Sequence, residues 1–263
     1  GKGLFVKEIE EAMLRGEIDI AVHSMKDVPT IFPEGLALHC ITEREDVRDI
    51  VILRPGVTSW RDLPQKARVG TSALRRKAQL LHIRPDLEMV DIRGNVETRM
   101  RKLTDDNLDA VILAAAGMHR LGFTGQIGEY LSVDVSIPAI GQGALGIESR
   151  IEDAETNALI DFFNHPETSW AVRAERAFLK RLEGGCQVPI ACHGVVAERT
   201  LSLTGLVADC EGVHCLKKTV SGSVDDAEHL GTSLADDLLI QGAGKILNEV
   251  YQHETFNVDR EDV

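Results

Sequence analysis

The chain has 263 residues, 43% hydrophobic and 27% charged, the composition of a folded protein large enough for more than one core. A formal net charge of −13 argues against nucleic acid or an anionic membrane surface as partner, because the long-range field is repulsive. No apolar run approaches the roughly 18 residues of a membrane span. The absence of a secretory pattern and five cysteines without framework spacing point to a reducing, cytoplasmic setting.

The first residues, Gly1-Lys2-Gly3, run straight into a helical pattern in which Leu4, Phe5, Ile9, Ala12 and Met13 share a face, closed by Arg15-Gly16. A buried strand over 18–23 follows, ending in Ser24-Met25-Lys26-Asp27-Val28-Pro29, and further strands are predicted over 36–41 and 50–53. Residues 54–66 read as loop. From 68 onwards strand and helix alternate: strand 68–71, a helix over 73–83 capped by Ser72 and stopped at Arg84-Pro85, strand 88–92, a helix after Arg93-Gly94-Asn95, strand 110–113 and helix 114–121. Such alternation with short connections predicts a parallel, doubly wound α/β sheet. The glycine-rich stretch 139–144 reads as a crossing between units. Helices over 153–164 and 168–182, strands over 190–197, 201–208 and 216–220, and a helix over 227–240 give the C-terminal third an α+β character.

Charge is unevenly distributed. Residues 68–102 hold nine lysines and arginines against four acidic residues, a net +5 inside an acidic chain. This inversion points to a small anionic ligand. Thr71-Ser72 and Arg93-Gly94-Asn95 each lie at a strand's carboxyl end and a helix N-terminus, where free N–H groups favour anions. Arg75, Arg76, Arg93 and Arg99 are placed to join them, and guanidinium forks match carboxylates. The competing reading leaves some of these arginines on solvated helix faces. No nucleotide P-loop sequence is present, and Gly141-Gln142-Gly143 is too short for a dinucleotide fingerprint.

Glu183-Gly184-Gly185-Cys186-Gln187-Val188-Pro189 sets a cysteine on a loop that two glycines leave free to present its sulfur. Cys186, Cys192, His193, Cys210, His214 and Cys215 lie close in sequence, but the only C-x₂₋₄-C pair is Cys210 with Cys215, and no second such pair accompanies it, so no metal is expected. Cys40, Cys192, Cys210 and Cys215 read as structural or incidental.

Four segments taken together resemble the porphobilinogen deaminase (hydroxymethylbilane synthase) family: His23-Ser24-Met25-Lys26-Asp27-Val28-Pro29, Val69-Gly70-Thr71-Ser72-x-Leu74-Arg75-Arg76, Arg93-Gly94-Asn95-Val96 and Glu183-Gly184-Gly185-Cys186. They occur in the family's order across nearly the whole chain. The resemblance implies two periplasmic-binding-protein-like doubly wound domains and a small α+β C-terminal domain. It implies a dipyrromethane cofactor joined by a thioether to Cys186, on which four porphobilinogen units are condensed to hydroxymethylbilane with release of ammonia, in haem and tetrapyrrole biosynthesis. By the same match Asp27 is the catalytic carboxylate, stabilising the azafulvenium cation left when ammonia departs, and Lys2 and Lys26 are carboxylate partners. Thr71, Ser72, Arg75, Arg76, Arg93, Asn95, Arg99 and Arg120 would bind cofactor and substrate, with Gln142 in a hinge.

Two departures stand out. Ala73 occupies a place where the family usually has serine. The family also has several tens of residues, including an Arg-x-Ser-x-Leu-Ala segment, before the position matching Gly1, so domain 1 is expected to lack its N-terminal part. The domains are expected at 1–42 with 144–161, at 47–137, and at 166–263, in a monomer. The alternative is a non-catalytic solute-binding module, from which Cys186 together with Asp27 distinguishes the enzyme.

Overall fold

The computed structural model describes residues 2–183 and 188–261. The chain visits its first sheet twice. Helix α1 (Lys2–Leu14) leads to β1 (Ile20–Ser24), a 3-10 turn over Met25–Asp27, and β2 (Leu36–Ile41). A second sheet follows from β3 (Asp49–Leu53), β4 (Arg68–Gly70), helix α2 (Leu74–Ile83), β5 (Glu88–Val90), helix α3 (Val96–Asp105), β6 (Ala110–Ala114), helix α4 (Ala115–Arg120) and β7 (Glu129–Tyr130). The chain then returns as β8 (Leu145–Arg150), which inserts between β1 and β2 and runs antiparallel to both. Helices α5 (Ala154–Ile160) and α6 (Pro166–Arg181) lead to a third sheet of β9 (Ile190–Ala197), β10 (Thr200–Ala208) and β11 (Cys215–Ser223), closed by α7 (Ala227–Ile240) and α8 (Ala243–Glu261).

The second sheet has the order β5-β4-β6-β3-β7. Its inner strands β3, β4 and β6 are buried on both faces, and successive residues serve opposite cores. Val51, Val69, Ala110 and Ile112 join Leu80 of α2 on one side. Ile50, Ile52, Val111 and Leu113 join Met118 of α4 and the partly buried Met100 of α3 on the other. This is the doubly wound arrangement that the strand–helix alternation predicts. Strand direction is mixed, however: β4 pairs parallel with β5 and β6, whereas β3 is antiparallel to β6 and β7. The cause is connectivity. β3 enters the sheet straight from the first one, with no helix to carry it back to the same end.

Other sequence expectations need correction. Ser72 does not cap α2, whose cap residue is Ala73 with no side-chain bond; the Ser72 hydroxyl instead donates to Ile92 O (2.5 Å) and accepts from Ile92 N (3.0 Å), closing β4 against the end of β5. The helix expected over 153–164 is α5 followed by a separate 3-10 turn, Asp161–Phe163. Helix α8 was not anticipated. In the third sheet the strands are wholly antiparallel, in the order β11-β10-β9, and Phe178 of α6 is fully buried over Gly205 of β10, where a Cβ would stand 2.7 Å from the ring.

Two crossings connect the first and second sheets, and they lie side by side. Arg44 Nε donates to Gln142 O (2.8 Å), Glu45 N to Gly143 O (3.2 Å) and Gln142 Nε2 to Val47 O (2.6 Å). Gly143 has φ +92°, and a Cβ there would sit 2.4 Å from Glu45 O, so the close approach requires glycine. The third unit is bolted to this joint by Glu175 of α6, fully buried, which accepts from both terminal nitrogens of Arg44 (2.6 and 3.1 Å), Gly141 N (2.7 Å) and Gly194 N (2.8 Å).

Candidate active site at the joint

Strand β3 opens with an acid, Asp49, where its other residues are all apolar. The carboxylate is fully buried and accepts five hydrogen bonds: two from Arg75 (2.7 and 3.0 Å), one from Arg76 (2.7 Å), one from Ser136 Oγ (2.8 Å) and one from Gln142 Nε2 (3.0 Å). Burial raises its pKa, but the Arg75 and Arg76 charges more than reverse that and hold it far below the ordinary carboxylate range. Arg75 completes its contacts with Ile137 O (3.0 Å) and Gln142 Oε1 (2.9 Å). The fork expected to grip ligand carboxylates is closed on one of the protein's own, and through Gln142 it fastens the second sheet to the crossing.

Arg76 is different. Its Nη2 meets Asp49 and its Nη1 meets Ile112 O (3.1 Å), but Nε is buried with no partner among the described residues. An orphaned buried donor on a guanidinium is costly and calls for an acceptor. Lys26 faces the same region from the first sheet. It follows Met25, which is fully buried, and its ammonium makes no hydrogen bond or ion pair among the described residues. Burial holds the Lys26 pKa down to about 8, Arg76 and Arg75 push the same way, and Asp27 and Asp49 oppose them. Asp27 is therefore within electrostatic reach of the same cluster, at the end of the 3-10 turn and exposed.

The Lys26 shift has a measurable consequence. Between about 8 and the ordinary lysine value of 10.5 the unfolded chain binds the proton that the folded chain has lost, so stability rises with pH across that window. Below it, folding carries a desolvated ammonium. In urea titrations of the unliganded chain and of Lys26→Met the difference in stability should change in this window only, the wild type gaining relative stability as pH climbs; parallel curves would show that Lys26 is an ordinary surface lysine.

The remaining candidates divide. Thr71 is buried, its hydroxyl accepting from Ala73 N (3.3 Å). Asn95 caps α3 by accepting from Thr98 N (2.8 Å), a local duty that the turn alone explains. Arg93 is exposed and makes no hydrogen bond or ion pair among the described residues. Arg99 donates from Nε to Gly94 O (2.8 Å) and is close enough for its charge to act on Arg76. Arg120, at the end of α4, reaches the crossing and donates to Gly143 O (2.7 Å). Lys2 lies at the start of α1, and its side chain is outside the described residues, as is Cys186 altogether. Cys40 and Cys192 are buried thiols whose pKa values burial raises, which makes them poor nucleophiles. Sequence reasoning missed Asp49, Arg44 and Glu175. The signal available was an acid standing alone in an apolar run (Asp49) or in a buried helical stripe between Val172 and Phe178 (Glu175).

Residues 1–158 match the family model "Porphobilinogen deaminase, dipyromethane cofactor binding domain", and residues 170–240 match "Porphobilinogen deaminase, C-terminal domain". The chain is 69% identical to the porphobilinogen deaminase of Geobacter metallireducens over 254 residues, covering 97% of this chain and 79% of that one. It is 67% identical to that of Pelobacter propionicus, covering 97% and 81%. Among solved structures, the periplasmic aliphatic sulphonate binding protein SsuA from Escherichia coli overlays 67% of this chain and 57% of its own at 14% identity, with a TM-score of 0.39.

Proposed function

The chain belongs to the porphobilinogen deaminase family, and from that premise we propose how its residues divide the work of the family's reaction. The activity is that of a transferase of tetrapyrrole biosynthesis: porphobilinogen units are joined head to tail into hydroxymethylbilane, with release of ammonia, on a dipyrromethane cofactor.

The residues at the joint fit such a cofactor, because among the described residues the Arg76 Nε lacks an acceptor and the Lys26 ammonium lacks a partner, both within electrostatic reach of Asp27 or of one another. That juxtaposition carries the reading. When bound, the dipyrromethane supplies the primer to which each new pyrrole is added. Lys26, Arg76, Arg93 and Arg99 bind pyrrole acetate and propionate groups, with Lys2 a further candidate. Arg75 positions: it ties Asp49 to Gln142 and so sets where Arg76 stands. Thr71 and Ser72 shape the turn ahead of α2, Asn95 the turn ahead of α3, and Arg120 clasps the crossing at Gly143. The Asp27 carboxylate stabilises the positive charge that develops on the substrate ring as ammonia leaves, and it moves a proton at the reacting carbon.

We place the cofactor thioether on Cys186, the domains at 1–42 with 144–161, 47–137 and 166–263, and the protein in the cytoplasm as a monomer that binds no nucleic acid. Cysteine usage supports the cytoplasm, and net charge supports the absence of a nucleic-acid partner. No described helix is long and apolar enough to cross a membrane. Intact-mass spectrometry tests the tether. The purified chain should carry an adduct of two pyrrole units that disappears in Cys186→Ala, and an adduct that survives this substitution would move the attachment elsewhere.

A further inference from the structure

A cavity of about 910 Å³ lies away from the Asp49 cluster, between α6 and the first sheet. Its apolar walls are Phe32, Leu38, Ile41 and Ala177, and its charged lining is unbalanced. Arg173 is paired with Glu228 (2.5 Å) and Arg181 with Asp236 (2.7 Å). Arg176 has no carboxylate partner among the described residues: its guanidinium donates only to the carbonyls of Val28 (3.2 Å) and Pro29 (2.6 Å). The ammonium of Lys180, four residues on and hence on the same face of α6, makes no hydrogen bond or ion pair among the described residues. Of the two acids of the lining, Glu183 has no side-chain partner among the described residues, and it follows the end of α6. Two cations over apolar walls, in a chain of net charge −13, make a receptor for a flat ring bearing carboxylates.

Two further observations tie this cavity to the reaction. The carbonyls that Arg176 holds belong to the two residues after Asp27, so cavity and catalytic turn share a wall. Glu183 also precedes Cys186 by three residues, a contour of at most about 11 Å, so a chain tethered at Cys186 starts within reach of the cavity.

We propose that this cavity is a second carboxylate site, which takes rings of the growing oligopyrrole through Arg176 and Lys180 once the joint is filled. The inference rests on the reading of function above. Each condensation adds an acetate and a propionate, whereas the cations at the joint are a fixed set, and Asp49 already occupies Arg75 and part of Arg76. The demand for positive charge therefore outgrows the joint as the chain lengthens, and α6, the helix that precedes Cys186 in sequence, offers two cations without a carboxylate partner among the described residues.

The test follows covalent intermediates on the holoenzyme. After a limiting pulse of porphobilinogen, intact mass reports how many units each molecule has gained. In Lys180→Glu the first addition should keep its rate within about twofold, while the later additions slow about tenfold and partly extended species accumulate. Lys180→Arg should restore the wild-type distribution. Lys245→Glu, the same charge change on exposed α8, should leave it untouched. Equal slowing of all additions, or an unchanged distribution in Lys180→Glu, overturns the second site while leaving the family reaction intact. A wild-type chain that gains no units at all overturns the functional reading, and the site with it.

Discussion

Asp49→Asn should lower the stability of the chain by about 3–5 kcal/mol, the cost of breaking a buried ion pair by removing one partner. The amide keeps the shape of the carboxylate and one acceptor oxygen, but it turns an N–H₂ group toward guanidinium donors and leaves Arg75 and Arg76, both nearly inaccessible, without a counter-charge. Against a total stability of about 5–15 kcal/mol for a folded domain the loss is large. It also carries a pH signature. The folded carboxyl titrates below its unfolded value of 3.8, so its contribution is complete above that value and is lost as pH falls through and below it. Asp49→Asn should therefore flatten the acid limb of the stability curve as well as lower the plateau. Asp86→Asn is the natural control, since Asp86 pairs with Arg84 near the surface (2.6 Å), where solvent screens the pair and removal should change stability far less. Urea unfolding followed by circular dichroism, from pH 3 to 7, separates the two. If Asp49→Asn stays within 1 kcal/mol of the wild type at neutral pH, the cluster is not the keystone described.

That keystone shows where sequence reading succeeds and where it stops. The second sheet was legible because its strands are continuous apolar runs and its helices begin after turns that local chemistry dictates, Asn95 being the clearest case. Strand direction was not legible: β3 and β8 are antiparallel to their neighbours because of where the chain crosses, which no local pattern records. Helix α8 was missed behind Gly242 and Gly244, although Ala243, Ile246, Leu247 and Val250 keep helical spacing and are all buried in the third core. At the site, sequence motifs marked out Lys26, Asp27, Arg75, Arg76 and Gln142, but could not say which arginine faces a ligand. Arg75 and Arg76 are adjacent and chemically identical. Only the positions of Asp49 and Gln142, 26 residues before and 67 after Arg75, reveal that one has both terminal nitrogens doubly hydrogen-bonded while the other keeps a buried donor in reserve.

Asp27→Asn should abolish turnover, by about 10²–10³-fold or more, while leaving substrate affinity within a few-fold of wild type. The carboxylates of the substrate are held by cations, and two of the proposed binding residues take their positions from other partners: Arg76 is fixed by Asp49 and Ile112, and Arg99 by Gly94. What the substitution removes is a negative charge where positive charge develops, an interaction stronger in the transition state than in the ground state. The prediction can be checked without activity, because Asp27 is one of the two charges that raise the Lys26 pKa against burial, Arg76 and Arg75. Removing it should drive Lys26 below its value of about 8, which an NMR titration of the lysine ε-methylene in the unliganded chain would detect. A dead enzyme with an unmoved Lys26 would mean that Asp27 acts from outside this cluster. A lowered Lys26 with normal turnover would keep the geometry and remove Asp27 from the chemistry. Only the two changes together match a carboxylate that sits among the cations of the joint and acts on the charge formed there.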